Sequence, residues 1–400
     1  MIVTGLQTVR LRNHDNLLWL CIETDAGLNG WGETFFAPSA VEAYIHEIIA
    51  PQLIGADASQ IGALNTRLIH YPVGYASSGA EMRAASAVDI ALWDLAGQAA
   101  GIPLFKMLGG QARDAIRIYN TCAGPHYVTK PRSGDIDKWF GIGGQVQPLD
   151  DLLAFEHEPE RLARELLAEG ITGMKIWPFD RAAFANGGVG ITPAQLAEGL
   201  APFRRIREAV GSAMDLMVEL HSLWDITSAC RIIKAVEPLA PLWIEDPIRM
   251  DDIGALQTLA AKTCIPILAS EILAPASSFH RLIASGAAGV ISFDPGWCGG
   301  ITQGRAICDM AAAAQLPVAV HDCTGPLGFI AGTHLSIWAP TAMIQETVRA
   351  YTRGWYADLV TALPAIDHGM LRPLTGAGLG ARPKPGLLAS EAVITRRAVQ

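Results

Sequence analysis

The chain has no CxxC pair. Its seven cysteines, Cys21, Cys122, Cys230, Cys264, Cys298, Cys308 and Cys323, are odd in number and scattered. That spacing indicates neither a disulfide framework nor a thiolate zinc site. No apolar run approaches the roughly 18 residues of a membrane span. The opening MIVTGLQTVRLRN lacks the basic-then-apolar order of a signal segment. These absences predict a cytoplasmic protein without a membrane partner. Charge is scarce, at 17% of residues, and 30 Lys and Arg against 39 Asp and Glu give a formal −9. An acidic chain argues against nucleic acid, which needs a basic face. It does not argue against a small anionic substrate, because a bound metal reverses the local field. No GxGxxG follows a strand pattern, and neither GxSxG nor GxxxxGK before Ser or Thr occurs. This weakens a doubly wound nucleotide-binding sheet as the runner-up architecture.

Half of the 400 residues are hydrophobic. That excludes a mainly disordered chain, and the length suits one large domain plus a smaller one. MIVTGLQTVRLRN and LLWLCIETDAGLNGWGE read as strands joined by turns. From Ser39 to about Gly109 the pattern is helical, with EMRAASAVDIALWDLAGQAAG as an Ala-rich helix ending near Gly101. Strands followed by helices predict a separate α+β unit, placed at residues 1–113. After Gln111 short apolar runs recur, each closed by a polar residue and followed by a helical stretch: IRIYNTC, TGMKIW, LMVELH, PLWIED, IPILASE, GVISFD, PVAVHD and AMIQET. Buried parallel strands read in this way. Eight units over roughly 240 residues match a (β/α)8 TIM barrel, placed at 114–354. The Pro- and Gly-rich tail, 355–400, is expected to pack back on the first domain. Segments 123–150 and 178–192 exceed ordinary loop length, and the first is expected to be a lid over the barrel mouth.

The strand ends carry the chemistry. Glu219, Glu245 and Glu271 close three consecutive runs at steps of 26 residues. Equal steps place them at one height on the C-terminal face of a barrel, where active sites are built. Three carboxylates without cysteine form a hard-oxygen site that suits Mg2+ and not zinc. Asp294, His321 and Glu346 continue the series. An Asp beside a His orients the imidazole and favours its charged form, which makes His321 a candidate general base. Glu346, if protonated, could donate to a developing oxyanion. His221 lies two residues past Glu219, so strand alternation points both to one face. A single carboxylate at a strand end is usually a helix cap or a solvated loop residue, and a single His there is usually structural. Capping preference would give Ser, Thr and Asn as often, whereas six consecutive strands here end in Glu, Asp or His.

These residues resemble the enolase superfamily in its mandelate racemase-like branch, over essentially the whole chain. SAVDIALWDLAGQAAGIPLFKMLGG (86–110) is similar to the signature that ends the family's capping domain, and FDPGWCGGIT (293–302) to its sixth-strand signature. The resemblance implies that Glu219, Glu245 and Glu271 hold Mg2+, that Asp294 and His321 form the dyad, and that Glu346 is the eighth-strand carboxylate. His221 is similar to the residue that, in acid-sugar dehydratases of the galactonate dehydratase type, protonates the departing hydroxyl. Two positions depart from the pattern. The first ligand is often Asp in that group and is Glu219 here. The racemases' Lys-x-Lys is Lys175-Ile176-Trp177, and Trp177 cannot accept a proton. Lys175, Trp177 and Asn120 are carried as substrate-binding candidates, although a Lys175 stem packed on Trp with a solvated amine fits as well.

The chemistry known of the superfamily removes a proton α to a carboxylate and stabilises the resulting ene-diolate with Mg2+. The implied activity is dehydration of an aldonate or aldarate to a 2-keto-3-deoxy acid. The alternative is a racemase or epimerase, against which position 177 counts. A cycloisomerase would want Lys where Asp294 stands, and a non-catalytic scaffold does not explain intact ligands and dyad. Specificity is expected from residues 12–18, 34–39 and the lid. There Tyr127, Lys130, Arg132 and Trp139 are either readers of the distal substrate end or plain surface residues. The resemblance also implies a homo-oligomer, a tetramer or octamer.

Overall fold

The computed structural model describes residues 1–70, 77–129 and 148–399. The chain opens with three antiparallel strands, β1 (Val3–Leu11), β2 (His14–Thr24) and β3 (Asn29–Phe35). Their β-branched and aromatic residues suit a sheet with one buried face. The Ala-rich helix Ala80–Ala100 lies on β3 at backbone distance. A Cβ added at Gly32 would stand 1.9 Å from the Ala87 carbonyl oxygen, and one at Gly30 would stand 2.2 Å from that of Ala91. Only glycine permits this approach. The helix stops at Gly101, whose φ of 69° is the left-handed C-terminal cap. The tail completes this domain as expected: strand Val393–Val399 adds antiparallel to β1, from Gly5↔Val399 to Leu11↔Val393.

The second unit is a closed barrel of eight parallel strands. They are β4 (Ile116–Thr121), β5 (Gly173–Ile176), β6 (Asp215–Glu219), β7 (Trp243–Glu245), β8 (Ile267–Ala269), β9 (Val290–Phe293), β10 (Val318–Val320) and β11 (Ala342–Thr347). Each lies within one of the eight apolar runs, except that β6 starts one residue ahead of its run, at Asp215. β11 returns to β4, pairing Gln345 with Ile118 and Thr347 with Asn120, so the ring has no edge. This excludes the doubly wound sheet. Tyr119, Met217, Trp243, Leu268, Val290, Ala319 and Ile344 fill the interior beneath the mouth as one packed layer.

The two signature segments meet each other across the domain boundary. Thr302 donates from its backbone N–H to Asp89 Oδ2 at 2.9 Å and from Oγ1 to Asp89 Oδ1 at 2.6 Å. The Gly299 N–H donates to Ser86 Oγ at 2.9 Å, and Trp93 Nε1 donates to Thr302 Oγ1 at 2.9 Å. From the first sheet, Glu33 accepts the Leu327 N–H at 3.1 Å and the Gly328 N–H at 2.6 Å. Those amides open the helix Pro326–Trp338, where a carboxylate meets unpaired donors and the positive end of the helix dipole.

Segment 178–192 is not the irregular loop the sequence predicted. It contains the helix Asp180–Asn186, ended by Gly187 at φ 69°. Residues Lys130, Arg132 and Trp139 of the expected lid lie outside the described residues. No described helix is long and apolar enough to cross a membrane.

His334, on the helix Pro326–Trp338, clips the tail to the barrel. Its Nε2–H donates to the Leu379 carbonyl at 3.1 Å, and its ring stacks on Phe105 at 5.7 Å. Its Nδ1 is buried without a partner among the described residues, so a proton there would be an unsatisfied buried donor. Burial accordingly pushes its pKa down to about 4, against about 6.5 in an unfolded chain. Between these values only the unfolded chain takes up the proton, so acid favours unfolding. The contribution is complete above about pH 6.5 and falls by about 3 kcal/mol toward pH 4. His334→Gln keeps an N–H donor and removes the titration. Denaturant unfolding should show the wild type losing about 3 kcal/mol more than this variant between pH 7 and pH 4; parallel losses would refute the role.

Candidate active site at the barrel mouth

A cavity of about 240 Å³ lies between the C-terminal strand ends and the first domain. Thr121, Lys175, Glu219, His221, Asp246, Glu271, His321 and Glu346 line it from the barrel, and Phe36 and Arg83 from the cap. Side chains alternate along each strand, so residues two apart share the interior: Tyr119 and Thr121, Met217 and Glu219, Trp243 and Glu245, Ala319 and His321, Ile344 and Glu346. The apolar member of each pair belongs to the packed layer, and the polar member stands above it.

Lys175 is the hub. Its ammonium is buried and lies 2.7 Å from Glu245 Oε1, 2.9 Å from Glu346 Oε1 and 3.2 Å from Glu219 Oε2. The solvated-amine alternative is thereby excluded. Burial pulls its pKa down, but the surrounding carboxylates, Glu245 foremost, outweigh this and hold it well above the usual range. Glu346 is also held by the Thr121 hydroxyl and by the Asp322 N–H at 3.2 Å. Burial raises its pKa, yet Lys175 and His321 overcome that and keep it below the usual range. Its surroundings thus favour the carboxylate form, whereas the sequence reading has Glu346 donate as the protonated acid.

The three predicted metal ligands do not all face the cavity. Glu219 and Glu271 do, whereas Glu245 is not on its wall and is held by Lys175 and by Trp243 Nε1 at 3.1 Å. Glu219 and Glu245 are paired in register, as the equal spacing implied. Asp246, absent from the sequence prediction, lines the wall instead. Its φ of 40° is left-handed, so the chain turns where a continuing strand would send this side chain outward. Its Oδ2 accepts from Ser270 Oγ at 2.7 Å, while Asp246 Oδ1 and Glu271 Oε2 are buried without partners among the described residues. Burial pushes Glu245, Asp246 and Glu271 above the usual carboxylate range, and repulsion among neighbouring carboxylates adds to it. Among the described residues no three His, Cys, Asp or Glu side chains close on one point at metal-bonding distance. The charge balance nevertheless fits a divalent cation. Six carboxylates, Asp180, Glu219, Glu245, Asp246, Glu271 and Glu346, gather with one ammonium, one guanidinium and two imidazoles, and a divalent cation would offset the repulsion that raises the pKa of Glu245, Asp246 and Glu271.

The two imidazoles are each locked by a carboxylate. His321 Nδ1 is 2.8 Å from Asp294 Oδ2, and its Nε2 lies 3.9 Å from Glu346 Oε2. Burial lowers the pKa of His321, but Glu346, the Asp294 hydrogen bond and Glu271 raise it to about 9. His221 Nδ1 is 2.7 Å from Asp180 Oδ2, and its Nε2 is 3.2 Å from the Tyr127 hydroxyl. Burial acts downward here too, and Asp180 and Glu219 outweigh it, again to about 9. His221 reaches the cavity by a different route from the one predicted. β6 ends at Glu219, and the left-handed φ of 47° at His221 swings the side chain inward while its N–H donates to Glu219 Oε1 at 2.7 Å.

Two substrate-binding candidates sit elsewhere. Asn120 points out of the barrel, bonded to Asp151 Oδ2 at 2.8 Å and to the Arg349 N–H at 2.8 Å; alternation puts Thr121 inside in its place. Trp177 packs behind the site, edge-on to His221 at 5.5 Å and against Tyr127 at 5.2 Å. Tyr127 is buried and on the cavity wall, so for this residue the plain-surface alternative is excluded. Asp180, Asp246 and Arg83 were missed. Asp180 sits on the unpredicted short helix, and only its nearness to β5 in the sequence could have pointed to it.

Comparison with known proteins agrees with this architecture. Residues 4–109 match the mandelate racemase / muconate lactonizing enzyme N-terminal domain, and residues 158–387 match the enolase C-terminal domain-like family. The chain belongs to the mandelate racemase and muconate lactonizing enzyme family of the enolase superfamily, and it is an enzyme. It is similar over its full length to a crystal structure of an enolase of the mandelate racemase subgroup from Agrobacterium tumefaciens. That match has 44% identity, a TM-score of 0.88, and covers 100% of this chain and 99% of that one. An enolase protein from Sargasso Sea environmental sequencing matches at 41% identity and TM-score 0.89, with the same coverage. A D-galactonate dehydratase from Xanthomonas campestris pv. campestris is 30% identical over 373 residues, 92% of this chain and 87% of its own length.

Removing the hub ammonium has a calculable consequence. Lys175→Met keeps the stem and leaves Glu219, Glu245 and Glu346 without their shared countercharge. The expected loss at pH 7 is about 3 to 5 kcal/mol in denaturant unfolding. The deficit should shrink as pH falls and the crowded carboxylates take up protons; an undiminished deficit at pH 5 would refute the charge-based origin.

Proposed function

We propose that the protein is a Mg2+-dependent hydro-lyase that dehydrates a sugar acid to its 2-keto-3-deoxy acid. The observation that carries the reading is the pair of carboxylate-locked imidazoles, His321–Asp294 and His221–Asp180, facing one cavity above a carboxylate cluster. The 30% identity to D-galactonate dehydratases over nearly the whole chain supports it. Glu219, Glu245 and Glu271 are the residues assigned to the metal, with Asp246 beside them as a fourth carboxylate. An all-oxygen set without cysteine matches Mg2+. When bound there, the cation supplies Lewis-acid stabilisation for the charge that builds on the substrate carboxylate.

The chain's own residues do the rest. Lys175 places a positive charge at the floor of the cavity, where a substrate carboxylate can join Glu219 and Glu346 around it. His321, in its neutral form, takes the α-proton at Nε2, because Asp294 holds its Nδ1–H and so fixes the tautomer. His221, as the cation, gives a proton from Nε2 to the departing β-hydroxyl, and Asp180 keeps that cation stable until it does so. Tyr127 and Trp177 hold the ring's angle from two sides. Trp177 offers no base where a racemase would place its second one. Seven free cysteines accord with the cytoplasmic setting this reading assumes.

The two histidines should separate in the laboratory. With Mg2+ and a turned-over acid sugar in D2O, His321→Asn should abolish both α-hydrogen exchange and dehydration. His221→Asn should slow dehydration by about 10²- to 10⁴-fold while α-exchange persists. Mass spectrometry reads both, since dehydration loses water and exchange adds deuterium. Exchange surviving in His321→Asn would sink the assignment. Calorimetry with Mg2+ alone checks the metal: Glu271→Gln should weaken binding at least about 10-fold.

A further inference from the structure

Resting on the dehydratase reading, we infer that Arg83 of the capping domain binds a second carboxylate at the far end of the substrate, which makes the substrate class a dicarboxylic sugar acid, an aldarate. Arg83 stands in the first turn of the helix Ala80–Ala100 and lines the same cavity as His321 and His221. Its guanidinium carbon lies 4.5 Å from the centre of the Trp297 ring and 5.6 Å from that of Phe36. Its Nη1 donates to the Phe35 carbonyl at 2.8 Å. The two rings and this bond fix the plane of the group. They use one of its five N–H donors.

No described carboxylate lies within ion-pair distance of this guanidinium. Asp294 is the acidic group whose field it feels, and both oxygens of Asp294 are engaged: Oδ2 by His321 Nδ1 at 2.8 Å and Oδ1 by the Gly296 N–H at 2.6 Å. Burial lowers the Arg83 pKa to about 10, so it is a cation at neutral pH. Trp297 carries a second donor, its buried Nε1, without a partner among the described residues. An arginine inserted into the candidate cavity, held flat and without a counter-anion among the described residues, is a receptor for a planar bidentate anion.

Its position selects the distal end of the substrate. The reacting carboxylate belongs at Lys175 and the glutamates on the barrel floor. Trp297 packs on His321 at 5.2 Å, and Arg83 lies on Trp297 from the cap side. A chain anchored at Lys175, with its α-carbon at His321, therefore points its other end toward the cap. A hydroxymethyl group there, as in an aldonate, leaves the guanidinium unpaired, and a carboxylate pairs it.

The test compares stereochemically matched aldarates and aldonates on the wild type and on Arg83→Met, which keeps an apolar stem between the two rings. With Mg2+ present, the wild type should favour the aldarate about 100-fold in kcat/KM, and Arg83→Met should erase most of that preference. Arg83→Lys should restore part of it. Equal turnover of both acids by the wild type, or an equal loss on both in Arg83→Met, overturns the role of Arg83 and leaves the dehydratase reading standing. If neither acid is dehydrated, the dehydratase reading fails, and calorimetry of the same pair on His321→Asn judges Arg83 by itself. Tighter aldarate binding that disappears in His321→Asn/Arg83→Met sustains the site; absence of any preference ends it.

Discussion

One buried ammonium governs the barrel mouth. Lys175 meets carboxylates from β6, β7 and β11 within 3.2 Å, and it is the countercharge that lets three Glu side chains crowd together at the ends of these strands. Unit charges at such distances interact by about 4 kcal/mol each at the effective dielectric of a protein site. Desolvation of the four groups opposes that attraction. The geometry thus demands saturation: Glu346 adds Thr121 and the Asp322 N–H, and Glu245 adds Trp243. Glu271 and Asp246 make no ion pair with Lys175, and each holds a buried oxygen without a partner among the described residues. The ammonium therefore divides the carboxylates into a floor that is satisfied by the protein and a rim that is not.

The second constraint is the seating of the cap. The segments around Asp89 and Thr302 contain the residues that look most family-like in the sequence, yet of these two segments only Trp297 lines the cavity. Their hydrogen bonds join Ser86, Asp89 and Trp93 on one helix to Gly299 and Thr302 at the start of another. Asp94, one turn further on, receives the Trp31 N–H at 2.9 Å and the Leu379 N–H at 2.8 Å, which adds the cap sheet and the tail to the same helix. This helix carries Arg83, and β3 leads into Phe36. The contacts that stabilise the domain boundary thus also fix the wall that faces the distal end of a substrate.

The barrel was legible because strands buried on both faces read as continuous apolar runs, and because the polar residue closing each run recurs at one-unit spacing. His321 and Asp294 followed from that spacing alone. What escaped depends on single backbone torsions or on contacts across the chain. A one-residue change of register exchanges Asn120 for Thr121 as the inward residue. The left-handed φ at Asp246 brings a second carboxylate to the wall, and that at His221 gives the predicted residue a different path. Asp180 lies on a helix of seven residues in a stretch that reads as loop. Arg83 looks like any helical arginine until the cap is docked. The downward pull on the Glu346 pKa comes from the convergence of Lys175 and His321, which no local pattern encodes.

The two imidazoles match in bonding and differ in support. His321 follows β10, beneath Trp297 and beside two barrel carboxylates, so its position is set by the strand framework. His221 sits on a left-handed turn, and its partners Asp180, Tyr127 and Trp177 come from the ends of β4 and β5 and the segments that follow them. In the proposed reaction the strand framework carries the removal of the proton next to the substrate carboxylate. What happens next depends on whether an acid stands across the cavity, and that acid is held by segments that can vary without disturbing the barrel. Asp180 is therefore as informative as His221. A histidine on a turn without a buried carboxylate behind it would be a neutral bystander, whereas in the proposed reaction the pair serves as an acid with a fixed direction.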